Sequence, residues 1–73
     1  MNRNRGWCFT VNNYTDDDEL HLRELAKRVV YLVYGREIAP TTNTRHLQGY
    51  VYCVNGRGFR GMAKELPKGS HIE

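Results

Sequence analysis

The sequence predicts an α+β domain whose elements run β-α-β-β-α-β. Three patterns carry this. Residues 5–13 and 46–54 alternate apolar and polar side chains with the period of a half-buried strand. Leu22, Leu25, Ala26 and Val29, and again Phe59, Met62, Ala63 and Leu66, recur at the i, i+3, i+4, i+7 spacing of an amphipathic helix. Turn-forming residues punctuate the segments at 40–44 and at Asn55-Gly56. Two split βαβ halves of this kind close into one antiparallel sheet with both helices on one face. This is the ferredoxin-like, RRM-like arrangement with strands in the spatial order 4-1-3-2. The first and third strands are then central neighbours, and the opposite sheet face carries no helix. The 73 residues, 1–73, are read as a single domain.

The first strand, residues 5–13, sends Trp7, Phe9 and Val11 to one face and Cys8, Thr10 and Asn12 to the other. Thr15 is a suitable helix N-cap. Asp16, Asp17 and Asp18 fill the first turn, where the helix dipole favours negative charge, and Lys27 and Arg28 sit at the far end. These placements account for the acidic block without a functional role. The second strand, residues 29–38, directs Val30, Leu32 and Tyr34 to the core and Tyr31, Val33, Gly35 and Glu37 away from it. The third, residues 46–54, directs Leu47, Gly49 and Val51 inward and His46, Gln48, Tyr50 and Tyr52 outward. A tight turn is expected at Asn55-Gly56, followed by a loop through Gly58. The second helix is weakened by Gly61 and stopped at Pro67, and residues 70–73 begin a last strand.

Hydrophobic residues make up 40% and charged residues 26% of the chain, which fits a globular domain and excludes a disordered tract. The longest mostly apolar run, residues 29–34, is too short to span a bilayer. Residues 1–5 are polar and basic with no apolar stretch behind them, so an intracellular, non-secreted protein without membrane contact is expected. Cys8 and Cys53 lack metal-type spacing and fall on opposite sheet faces, so free thiols are expected. The net charge is +3. Setting aside Asp16, Asp17, Asp18 and Glu19 leaves +7, a basic surface suited to a phosphate-bearing partner.

The helix-free face should gather Thr10, Asn12, Glu37, His46, Gln48, Tyr50 and Tyr52. Glu37 ends the second strand and His46 begins the third, so a hairpin sets them side by side. Gln48 shares the face of His46. A carboxylate, an imidazole and an amide make a mixed oxygen and nitrogen donor set, better suited to Mg²⁺ or Mn²⁺ than to structural zinc. The residues by themselves leave open a plain solvated or hydrogen-bonded histidine.

Trp7-Cys8-Phe9-Thr10-Val11-Asn12-Asn13-Tyr14 resembles the first, FTLN-type motif of the replication initiator (Rep) proteins of circular single-stranded DNA viruses, the circovirus and nanovirus group. His46-Leu47-Gln48-Gly49-Tyr50 is similar to their second motif, a His-hydrophobic-Gln variant of the HUH endonuclease signature. Glu37 stands nine residues before His46, at the place of that family's acidic ligand, and His71-Ile72-Glu73 resembles the segment that precedes the third motif. The resemblance implies an HUH endonuclease-type nickase domain with Glu37, His46 and Gln48 as ligands of Mn²⁺ or Mg²⁺. It implies origin DNA contacts at Asn12 and its neighbours. Thr10, Tyr50, Tyr52, Arg5 and Arg45 complete the expected DNA-binding set, through polar contact, stacking and charge. The implied partner is single-stranded or stem-loop origin DNA, the implied compartment is the host nucleus, and the full-length protein is compatible with oligomers.

The implied chemistry is metal-dependent nicking and joining. A tyrosinate attacks the scissile phosphate and leaves a 3′-OH that primes rolling-circle synthesis. The family's nucleophilic tyrosine lies in a Tyr-x-x-Lys helix, expected downstream of Glu73. Tyr14, Tyr31, Tyr34, Tyr50 and Tyr52 all lack that setting, so no catalytic nucleophile is expected within these residues, and the domain reads as truncated before the tyrosine motif and inactive alone. Two other readings are a non-catalytic RRM-like module that stacks single-stranded nucleic acid on Tyr50 and Tyr52, and a small interaction domain without a ligand. Neither gives a reason for Glu37, His46 and Gln48 to share one face.

Overall fold

The computed structural model describes residues 3–73. Asn4–Asn12 forms β1, Asp16–Ala26 α1, Tyr31–Ile38 β2, Arg45–Arg57 β3, Phe59–Glu65 α2 and His71–Ile72 β4. The strands form one antiparallel sheet ordered β2-β3-β1-β4, which is the expected 4-1-3-2 order read from the other edge. Alternation does the sorting. Trp7, Phe9 and Val11 of β1 and Leu47, Val51 and Cys53 of β3 enter the core, where they meet Leu22 and Leu25 of α1, Met62 of α2, and Leu66. Cys8 is exposed and Cys53 buried, both as free thiols. No helix among the described residues is long and apolar enough to cross a membrane.

Gly49 is where the inner face closes. A Cβ there would come within 2.6 Å of Phe9 Cζ and 2.8 Å of Tyr34 Cβ, and would overlap the Val33 carbonyl oxygen. Glycine is therefore required by packing, because the Phe9 ring lies over the backbone of β3. Thr15 caps α1 as expected. Its hydroxyl accepts from the Asp18 N–H at 3.3 Å, while its own N–H donates to Asp18 Oδ2 at 2.9 Å, a reciprocal capping box.

Several expectations need correction. Helix α1 stops at Ala26, so Ala26 is exposed, and Val29 reaches the core only from the following turn. Val30 is 58% exposed, because β2 begins one residue later and Val30 only donates its N–H to the Tyr52 carbonyl at the strand end. Asn55-Gly56 makes no tight turn. β3 continues to Arg57, and the pairing jumps from Gly6–Tyr52 to Asn4–Arg57, so the extra residues are taken up as a bulge. Phe59 and Ala63 are exposed, because the short α2 fully buries only Met62.

The packing at Gly49 yields a paired prediction. Gly49→Ala should lower unfolding free energy by about 1–3 kcal/mol, the usual cost of overpacking. Gly35→Ala should change it by less than about 0.5 kcal/mol, because nothing lies within 4 Å of its missing Cβ. Urea denaturation of the two variants checks this; equal losses would rule out the Phe9 contact as the reason for glycine at 49.

Candidate metal and nucleic-acid site

The strand register sets the open face in transverse rows. Glu37, His46 and Asn12 stand abreast on β2, β3 and β1. Gly35, Gln48, Thr10 and His71 form the next row across all four strands. Val33, Tyr50 and Cys8 follow, then Tyr31, Tyr52 and Gly6. The polar end and the aromatic end of the face are thus separated along the strands.

Within the first row, Glu37 Oε1 and His46 Nε2 are 3.3 Å apart. The His46 side chain is mostly covered, at 16% exposure, while that of Glu37 is more open, at 56%. Gln48 is one row away on the same strand and exposed, beside the open space over Gly35. The donor chemistry fits a hard divalent ion. Two cis ligands with bonds of about 2.1 Å stand roughly 3 Å apart in octahedral geometry, close to the separation found. The structure brings Glu37 and His46 into contact and places Gln48 alongside.

The DNA-binding candidates divide. Asn12 is exposed beside His46, and Thr10 is half-buried beside Gln48. Tyr50 leans over Gly6, where any Cβ would collide with its hydroxyl, so glycine on β1 makes room for the ring. Arg5 stacks its guanidinium 4.7 Å from the Tyr52 ring centre and donates Nε to the Cys53 carbonyl at 3.2 Å. Arg45 instead lies 4.6 Å over the largely buried Tyr14, at the strand parity of Leu47, so it is turned away from the row of His46.

A support that sequence reasoning missed lies under this site. Glu19, assigned above to a functionless acidic block, is buried at 7% exposure. Arg36 donates to it from Nη2 at 2.8 Å and from Nε at 3.2 Å, and the Tyr34 hydroxyl donates at 3.0 Å. These bonds pin the β2 end that carries Glu37 onto α1. The signals were available: Glu19 precedes Leu22 by three residues on the same helix face, and Arg36 shares the parity of Leu32 and Tyr34. The Arg36 hydrogen bonds hold the Glu19 carboxyl below its ordinary range despite the opposing effect of burial. Burial, with the bond to Glu19, pushes the Tyr34 phenol up. His71, named above only within a motif-like segment, stands beside Thr10 in its row.

Residues 4–73 match the family model described as "Putative viral replication protein". The Replication-associated protein of Human associated cyclovirus 1 is 43% identical over 70 residues, covering 94% of this chain and 25% of that protein. The Replication-associated protein of Beak and feather disease virus is 39% identical over 70 residues, covering 94% of this chain and 24% of that protein. The chain therefore spans about a quarter of the length of the curated relatives it matches.

The Glu19 anchor has a pH signature. A carboxyl with a lowered folded-state pKa contributes stability that is fully present above its ordinary value of 4.5 and is lost as pH falls below it. Glu19→Gln should therefore melt several degrees lower at pH 7, with the gap to the parent narrowing as pH falls below 4.5. A gap that stays constant across that window would show the charge to be irrelevant.

Proposed function

This chain belongs to the family of viral replication proteins, and from that premise we propose that it is the metal- and DNA-binding platform of an HUH-type nuclease that nicks and rejoins single-stranded origin DNA to initiate rolling-circle replication. The observation that carries the reading is the Glu37–His46 contact on a helix-free sheet face, with Gln48 next on the same strand. These three side chains would hold Mn²⁺ or Mg²⁺, which supplies Lewis-acid stabilisation of charge on the phosphate oxygens. Asn12 and Thr10 offer hydrogen-bonding groups next to the ligands and orient the phosphate. Tyr50 and Tyr52 offer ring faces to bases along the strand, and Arg5, already on Tyr52, adds positive charge there. The attacking tyrosine is assigned to a segment of the longer protein outside residues 1–73, because none of the five tyrosines here stands in a Tyr-x-x-Lys setting.

The reading makes two measurable claims. Millimolar Mn²⁺ should raise the melting temperature, by an amount that grows with the logarithm of concentration above the dissociation constant, and His46→Ala with Gln48→Ala should abolish the rise. An unchanged parent melting curve would sink the metal site. Stem-loop DNA with an unpaired strand should bind more weakly as salt increases, and a flat salt response would exclude phosphate contact as the main attraction.

A further inference from the structure

Beyond the aromatic end of the open face, around the bulge that joins β1 to the end of β3, lies a second candidate binding feature. Arg3, Gly58, Phe59, Arg60 and Gly61 line a pocket of about 450 Å³. Phe59 is 58% exposed, yet its position is fixed: its ring meets the core residue Trp7 in an edge-on arrangement, with centroids 6.4 Å apart and planes at 68°. Arg3 is held by donation from Nη2 to the Gly56 carbonyl at 2.9 Å. Arg57 lies behind the lining residue Gly61, its Cδ 4.0 Å from where a Gly61 Cβ would stand, and its Nε is buried without a hydrogen-bond partner among the described residues. A buried donor left unpaired is costly and uncommon in a folded protein.

The electrostatics point one way. Among the described residues, the ion pairs join Glu24 to Lys27, Glu65 to Arg28, Glu19 to Arg36 and Glu37 to His46, and none includes Arg3, Arg57 or Arg60. A fixed aromatic ring rimmed by uncompensated guanidinium groups matches a base beside its phosphate. Neither glycine in the lining adds a side chain to obstruct the ring. Asn4 is eight residues along β1 from Asn12, about 26 Å at the rise of a strand, so this pocket is separate from the row that holds Glu37 and His46.

We propose that this pocket is a second nucleotide-binding site, in which an unpaired base stacks on Phe59 while Arg3 and Arg60 engage the flanking phosphates. The proposal rests on the reading that the chain binds single-stranded nucleic acid, but it does not depend on the metal ligands. The probe is a short fluorescein-labelled oligothymidylate at low salt without metal, read by anisotropy on this chain. Phe59→Leu should weaken binding roughly 5- to 150-fold, the range for losing one base–aromatic stack, while Phe59→Tyr should retain it. Arg60→Gln should reduce the salt slope by about one, and Leu20→Ala, on the exposed side of α1, should bind as the parent does. Thermal melts establish that each variant is folded; should Phe59→Leu fail to fold, Arg60→Gln and Arg3→Gln carry the test through the salt slope. If folded Phe59→Leu binds like the parent while Tyr52→Ala binds weakly, the pocket proposal is overturned and the open-face reading stands. A blunt hairpin bound as tightly as the single strand, and equally by Phe59→Leu, would reduce the pocket to a general phosphate contact and also overturn it. If the parent does not bind the oligonucleotide at all, both readings fall.

Discussion

The side chains of both faces take their direction from one pairing, the antiparallel register in which Phe9 faces Gly49 and Asn12 faces His46. A slip of one residue between β1 and β3 would turn Leu47 and Val51 outward and bury His46 and Gln48. The Phe9 ring over Gly49 resists that slip, since the backbone of β3 has room for it only where a Cβ is missing. The glycine of the His-Leu-Gln-Gly-Tyr stretch thus holds the inner face in register, and the outer face inherits its alignment. The same strand builds the core and presents the candidate ligands, so stability and site geometry are coupled through one contact.

The second strand needs separate support, because β2 is an edge with only β3 beside it. Its candidate ligand, Glu37, is near the end, where strands fray most readily. The buried Glu19 carboxylate binds Arg36 and Tyr34 and fastens that end to α1. A carboxylate inside the fold is expensive unless its oxygens are fully engaged. Here three donor groups meet it, and their direction fixes the backbone next to Glu37. A helix whose acidic first turn looks purely like dipole compensation therefore has one member with a different task.

Much of this was legible in the sequence because period-two alternation encodes a sheet's two faces directly. Trp7, Phe9, Val11, Leu47 and Val51 went inward as read, and the 4-1-3-2 order followed from few permitted connections. The juxtaposition of Glu37 with His46 was also legible, since a hairpin forces it. Where the reading failed, a local pattern was overruled by packing that sequence does not display. Asn55-Gly56 is a strong turn signal, but the partner strand β1 extends back to Asn4 and captures Arg57, converting the turn into a bulge. Phe59 fits a helical stripe, but α2 is too short to bury it, and it rests on the edge of Trp7 instead. Arg45 neighbours His46 in sequence, and strand parity sets it over Tyr14 instead.

The central claim is that Glu37, His46 and Gln48 form the chain's divalent-metal site, in preference to the acidic turn of Asp16, Asp17 and Asp18. Substoichiometric Mn²⁺ added to the ¹⁵N-labelled chain tests this directly, because the paramagnetic ion broadens amide resonances in its neighbourhood. The account predicts selective loss of the resonances of Glu37, His46, Gln48 and the adjacent Asn12 and Thr10. Broadening confined to the first turn of α1, with the resonances of β2 and β3 intact, would contradict it.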